Sequence, residues 1–157
     1  MSDQQVDQDA AQLTISAIVP GDESEWRDLW REYLAYYETE LPDEVYRTSF
    51  NRLCDPLITD YQGFVARFDG EAVGLVHFIY HRHGWCIEEV CYLQDLYTKA
   101  TLRGRGVGKA LIEAVYEAAD ANGTPRVYWL TQDFNHTARR LYDQVAKLSP
   151  FIKYDRP

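Results

Sequence analysis

Arg103-Gly104-Arg105-Gly106-Val107-Gly108-Lys109 interleaves glycine with basic residues at the point where one hydrophobic period gives way to another. Upstream, Tyr92 to Thr98 has the β-branched and aromatic character of a strand; downstream, Val107, Leu111, Val115 and Ala118 recur at helical spacing. The turn therefore joins a strand to a helix N-terminus, where free backbone N–H groups and the helix dipole together attract phosphate. Glycine lets the main chain approach such an anion without a Cβ in the way. Between Leu96 and Ile112 the only charged residues are Lys99, Arg103, Arg105 and Lys109, so the anion site is locally positive. A Walker loop is excluded, because it needs glycine where Arg103 stands and Ser or Thr where Ala110 stands. A dinucleotide fingerprint begun at Gly104 fails at Lys109, where its third glycine belongs.

Ahead of this turn, Gly63 to Arg67 and Ala72 to Tyr80 are predicted strands joined by Asp69-Gly70, a hairpin signal, and a long strand is predicted from Trp85 to Thr98. Nearer the N-terminus, Leu13 to Val19 reads as a strand and Pro20-Gly21-Asp22 as a capping turn. A helix follows to Thr39, its buried stripe Trp26, Leu29, Trp30, Tyr33 and Tyr37, and a shorter helix runs from Asp43 to Leu53. Beyond the glycine turn, Asn122-Gly123 closes the helix, Arg126 to Leu130 predicts a compact buried strand, and Asn135 caps a helix with Ala138, Leu141, Tyr142 and Val145 inward. Phe151 to Tyr154 predicts a closing strand. The expected order is β-α-α-β-β-β-α-β-α-β, an α/β fold.

The 157 residues suit a single domain over 13–157 behind a polar, acidic, flexible tail of residues 1–12. That tail has no basic or apolar signal region, and no apolar run approaches ~20 residues, so the expectation is a cytoplasmic protein with no membrane partner. Cys54, Cys86 and Cys91 lack C-x-x-C spacing and suit a reducing compartment. A formal net charge of −9 opposes nucleic acid and favours a cationic partner. His77, His81 and His83 straddle a turn without acidic or cysteine ligands at regular spacing, so no metal is expected.

The pattern R-x-x-G-x-G at Arg103, Gly106 and Gly108, at a strand-to-helix junction after two antiparallel strands, resembles the acetyl-CoA pyrophosphate loop of the GNAT superfamily of N-acetyltransferases. The resemblance runs from Leu13 to Tyr154. Tyr92-Leu93-Gln94-Asp95-Leu96-Tyr97 looks like the superfamily's central strand, whose exposed backbone pairs with the pantetheine arm. Asn135-x-x-Ala138-x-x-Leu141-Tyr142 is similar to its second cofactor motif. Tyr128 to Gln132 and Phe151 to Tyr154 resemble the subgroup of small histone and polyamine acetyltransferases. What the resemblance implies is a GNAT fold: a mixed, mostly antiparallel central sheet with flanking helices and a parallel strand pair splayed at the acetyl-CoA cleft. The implied activity is direct transfer of acetyl, in a ternary complex, to a cationic primary amine such as a polyamine, a lysine side chain or another small amine. A homodimer is expected.

The resemblance also assigns roles. Cofactor contacts are implied for Leu96, Tyr97 and Thr98 on the strand, for Arg103, Gly104, Arg105, Gly106, Val107, Gly108 and Lys109 in the turn, and for Asn135, Ala138 and Tyr142 on the last helix. Tyr142 is implied as the general acid beside the sulfur, and the backbone N–H of Leu96 or of a close neighbour as the oxyanion donor. An alkylamine with a pKa of ~10 calls for a base. The polyamine enzymes carry a Glu just before the strand's Asp; here Gln94 stands there and cannot take a proton, which leaves Asp95 as the first choice, with Glu88 and Glu89 upstream on the same expected strand. Tyr36, Glu38 and Glu40, with Asp43 and Glu44 beside them, occupy the segment that covers the acceptor site in the superfamily, and with Gln94 they are the substrate candidates. Gln94 also leaves open a second reading, a non-catalytic acyl-CoA-binding regulatory module.

Overall fold

The computed structural model describes residues 12–157, so the expected tail lies outside the described residues apart from Gln12, whose N–H is held by Asp69 Oδ1 at 2.8 Å. The elements are β1 (Leu13–Ala17), α1 (Glu23–Tyr36), α2 (Asp43–Cys54), β2 (Tyr61–Phe68), β3 (Glu71–His81), β4 (Val90–Thr98), α3 (Val107–Ala121), β5 (Val127–Tyr128) and α4 (His136–Val145). One sheet takes the order β1-β2-β3-β4-β5, antiparallel throughout except for the parallel β4–β5 pair. Asp69 and Gly70, at φ 51° and 84°, make the tight turn their sequence predicts.

Each face of the sheet carries its own core. Val107, Leu111, Ile112 and Val115 of α3 pack on Val76, Phe78, Cys91 and Leu93. On the other face Trp26, Leu29 and Trp30 of α1 and Tyr46 and Phe50 of α2 pack on Val65, Ala72 and Leu75. In β4 the alternation between these faces is interrupted: Leu93 pairs with Phe78 and Asp95 with His77, so Gln94 is an extra residue without a partner, a β-bulge. Leu93 and Leu96 therefore face α3, whereas Tyr97 packs with the α1 cluster and Asp95 turns to His77.

Several expectations need correcting. β4 begins at Val90 and not at Trp85, because residues 82–89 form a loop in which Trp85 and Ile87 are exposed and Cys86 Sγ donates to the Glu88 carbonyl. β5 is two residues long, and Tyr128 and Leu130 are exposed, so Arg126 to Leu130 is no compact buried strand. Phe151 to Tyr154 is not a strand at all. These residues run exposed, and the short β5 at the sheet edge offers them no ladder. Helix α1 stops at Tyr36 and not at Thr39: Glu38 takes φ 53°, and the Thr39 N–H folds back to Leu34 O at 3.0 Å.

Candidate active site

The glycine turn forms the floor of the site. Gly104 and Gly106 have φ 76° and 82°, a conformation that other residues adopt only under strain, and Gly106 in that conformation is the N-cap of α3. The first backbone bond of the helix runs from Ala110 N–H to Gly106 O at 2.9 Å, which leaves the N–H groups of its first turn without helical partners. Gly108 is glycine for want of space, since a Cβ there would stand 3.1 Å from Leu141 Cδ2. Arg103 and Lys109 flank these donors, with Arg103 Nε donating to Thr98 O at 3.4 Å. The turn is built to take an anion.

Above it a cleft of about 760 Å³ opens where β4 and β5 part. Only Cys91 and Tyr92 of β4 pair with Val127 and Tyr128, and beyond them the edge of β4 lines the cleft with Leu96, Tyr97 and Thr98. The opposite wall is α4, whose Asn135, Ala138 and Tyr142 lie on one face; Asn135 Oδ1 accepts from the Ala138 N–H at 3.3 Å and caps the helix. Tyr33, Tyr36 and Tyr37 at the end of α1 close the far end. Burial pushes the Tyr142 hydroxyl up to about 12, with the hydroxyls of Tyr37 and Tyr36 adding to the effect, so it stays protonated and able to donate. Tyr97, bonded through its hydroxyl to Glu32 at 2.7 Å, is likewise pushed up to about 12, first by burial.

Most of the residues singled out from the sequence meet in this one cleft; some do not. Arg105 is absent from its lining, its guanidinium lying 5.6 Å over the Phe68 ring. Asp95 does not reach it either: the carboxylate is buried on the α1 side with Oδ2 2.8 Å from His77 Nδ1. Gln94 is exposed at the bulge, outside the cleft. Glu38 and Glu40 line a separate depression between α1 and α2, in company with Arg27 and Arg31. Tyr33 and Tyr37, read from sequence as members of a buried stripe, also line this cleft: Tyr33 keeps its packing against the α1 core, whereas Tyr37 is exposed. Among the described residues no group of three candidate metal ligands occurs, and no helix is long and apolar enough to cross a membrane.

A phosphate-ready turn, a free strand edge and a capped helix carrying a protonated tyrosine agree with a family model, described as acetyltransferase (GNAT) family, that matches residues 26–146. The chain belongs to the GNAT family, and it is an acetyltransferase. A D-amino-acid N-acetyltransferase, HPA3 of Saccharomyces cerevisiae, is 43% identical over 147 residues, covering 92% of this chain and 90% of the relative. A thialysine N-epsilon-acetyltransferase of Caenorhabditis elegans is 31% identical over 83 residues, 53% of this chain and 51% of the relative. Among solved structures, the aminoglycoside acetyltransferase AAC(6')-Iy superposes with a TM-score of 0.81 at 19% identity, covering 93% of this chain and 98% of that one, and so bears out the GNAT fold.

Proposed function

We propose that this GNAT enzyme transfers acetyl from acetyl-CoA to the primary amine of a small, amino-acid-like acceptor by direct attack in a ternary complex. The observation that carries the reading is a single cleft with an anion-binding helix terminus at one end and a cluster of tyrosines at the other. The pyrophosphate suits the free N–H groups of the Gly104 to Lys109 turn, with Arg103 and Lys109 as counter-charges and Arg105 too far to the side for more than long-range attraction. The pantetheine arm suits the edge of β4 at Leu96 to Thr98, with Asn135 and Ala138 across from it. Tyr142, held protonated, donates to the departing sulfur.

The acceptor enters at the tyrosine end, where Tyr36 and Glu32 beside Tyr97 suit an ammonium group. Glu38 and Glu40, sharing their depression with two arginines, add only weak attraction at a distance, and Gln94 stands outside the cleft as a contact for an extended acceptor. Asp95 serves as the ultimate proton acceptor. The relative that matches over most of its length acts, by its name, on D-amino acids, and a shorter match on thialysine, which supports an amine borne on an amino acid. Cytoplasmic residence is supported by three free cysteines. A homodimer is supported by the exposed apolar side chains of Leu148, Phe151, Ile152 and Tyr154, a surface a second copy would cover.

The test is release of CoA thiol from acetyl-CoA in the presence of D-amino acids, L-ornithine, thialysine and polyamines. Turnover with an amino-acid amine supports the reading, and inertness toward the whole panel overturns it. CoA binding should fall at least ~100-fold in a Gly106→Val, Gly108→Val variant that still folds, because a Cβ strains the first site and strikes Leu141 at the second. Equal affinity by calorimetry would remove the turn from the cofactor site.

A further inference from the structure

A buried polar unit lies beside the acceptor end of the cleft. Trp26 Nε1–H donates to His77 Nε2 at 2.8 Å, and His77 Nδ1 is 2.8 Å from Asp95 Oδ2. Trp26 and His77 are 0% exposed and Asp95 6%. An indole N–H can only donate, so His77 Nε2 must offer its lone pair. A proton on that nitrogen would point at the indole hydrogen. The imidazole is therefore held neutral, in the tautomer with hydrogen on Nδ1, and donates that hydrogen to the carboxylate. Its lone pair is occupied by Trp26, so His77 cannot itself serve as the base. Trp30 and Tyr61 wall the ring in, at centroid distances of 5.4 and 5.9 Å.

With one oxygen of Asp95 so held, Tyr33 stands between it and the cleft. Its ring packs in the α1 cluster 6.4 Å from that of Tyr97, which shares the Asp95 face of β4, and 5.1 Å from that of Tyr37. Tyr33 lines the cleft that Asp95 does not reach, and the Asp95 charge adds to burial in raising its hydroxyl. The other titratable groups that feel this carboxylate are Tyr37 at the end of α1, Tyr61 from β2, itself near Arg52 of α2, His77 from β3 and Tyr92 from β4.

We infer that the acceptor's ammonium proton leaves through Tyr33 to Asp95, and that His77 and Trp26 are positioning residues that orient the receiving carboxylate. This rests on the acetyl-transfer reading above and supplies its proton path. As the N–H bond of the ammonium breaks, an O–H bond forms on Tyr33; the original O–H bond of Tyr33 breaks, and an O–H bond forms on Asp95. One positive and one negative charge become none, and the amine lone pair is free to attack the thioester carbonyl. After product leaves, the proton returns to solvent by the same route. Burial first, and then the Asp95 charge, drive the Tyr33 pKa far upward, so phenolate is no resting state and the two transfers are concerted.

The experiment is the pH profile of kcat/KM for an accepted amine in wild type, Tyr33→Phe, Asp95→Asn and the double variant, with CoA affinity by calorimetry. Tyr33→Phe keeps its ring and should bind CoA as wild type does. Its kcat/KM should fall on the order of 10²-fold at neutral pH. That loss should shrink as pH nears the amine's own pKa of ~10, where free base arrives from solvent. The double variant should lose no more than the worse single one, because the two residues act in series. A loss that is absent, or equal at every pH, makes Tyr33 a packing residue and overturns the relay. Independently of turnover, nitrogen-15 NMR of histidine-labelled protein should show His77 as the single Nδ1–H tautomer, lost in Trp26→Phe; an Nε2–H tautomer in wild type overturns the positioning role. A wild type inert to every amine would overturn the acetyl-transfer reading and the relay with it, whereas the His77 assignment is decided by the spectrum alone.

Discussion

On its α3 side the sheet is covered by aliphatic chains, Val107, Leu111, Ile112 and Val115, while on its α1 side it is covered by rings, Trp26, Trp30, Tyr46 and Phe50, gathered around one imidazole. Aliphatic packing offers no hydrogen-bond partner and gains its stability from area and fit alone. It suits a face that holds the N-terminus of α3 in a fixed place at the floor of the cleft. Rings fill space equally well and bring N–H and O–H groups with them, so the α1 face can bury a histidine and a carboxylate with their partners satisfied. In the proposed reaction the work is divided across the sheet, the acetyl carrier on one side and the proton chemistry on the other, meeting in the cleft that Tyr142, Tyr36 and Tyr37 line.

This contrast is sharpest in alkali. Burial raises Tyr33 and Tyr61 well above the ordinary tyrosine value, and raises Tyr97 to about 12. The unfolded chain ionises near ~10, so the neutral hydroxyls contribute stability that is complete below that pH and is lost as pH climbs through the folded values. Urea melts should show stability collapsing between pH ~10 and ~12, and Tyr61→Phe should flatten the fall; an unchanged slope would mean that the ring-lined face does not govern it. Leu111→Ala on the aliphatic face should instead cost about 2–5 kcal/mol at every pH, by the cavity it leaves. If its effect varies with pH, the two faces are not independent.

Smaller effects test the cleft itself. Tyr142→Phe should lower kcat on the order of 10²-fold with CoA affinity unchanged, since the ring still packs on Trp129 at 5.4 Å and only the donor is lost. Wild-type turnover, with chemistry shown to be rate-limiting, would make the hydroxyl a bystander. Least of all, Glu38→Gln with Glu40→Gln should change kcat/KM for a cationic acceptor by less than ~3-fold, and by less again as salt rises. A larger loss would place the acceptor in the α1–α2 depression and not at the tyrosines.

The geometry of the glycine turn was legible because its determinants lie in adjacent residues: glycines for the positive φ values, basic residues beside them, and the apolar period that starts a helix. Asn135, Ala138 and Tyr142 were legible for a related reason, since helical spacing brings them to one face. The acceptor side was not. Tyr33 and Tyr37 continue the apolar period of Trp26 and Trp30, and nothing in that period says that the last turn of α1 overhangs a cleft. His77 was passed over as one of three histidines near a turn, although a lone histidine inside the buried run Ala72 to Phe78 was a signal that a polar partner had to be buried with it. The orientation of Asp95 could not be read from alternation, because the bulge beside it carries no glycine or other mark. The closing strand failed for a different reason: β propensity in Phe151 to Tyr154 is satisfied only if another strand is there to pair with.

Gln94 touches neither core and pairs with no residue of β3, yet the division of labour between the faces depends on its presence. Two residues apart, Leu93 and Asp95 would share a face in an unbroken strand, and then either a leucine would leave the aliphatic core or a carboxylate would enter it. For the parity of the strand, position 94 therefore carries its information as a count, whatever chemical group stands there. Point substitutions there leave the parity of β4 intact, whereas loss of that single codon would be a frameshift in three dimensions, exchanging the two sides of the strand without altering any other residue.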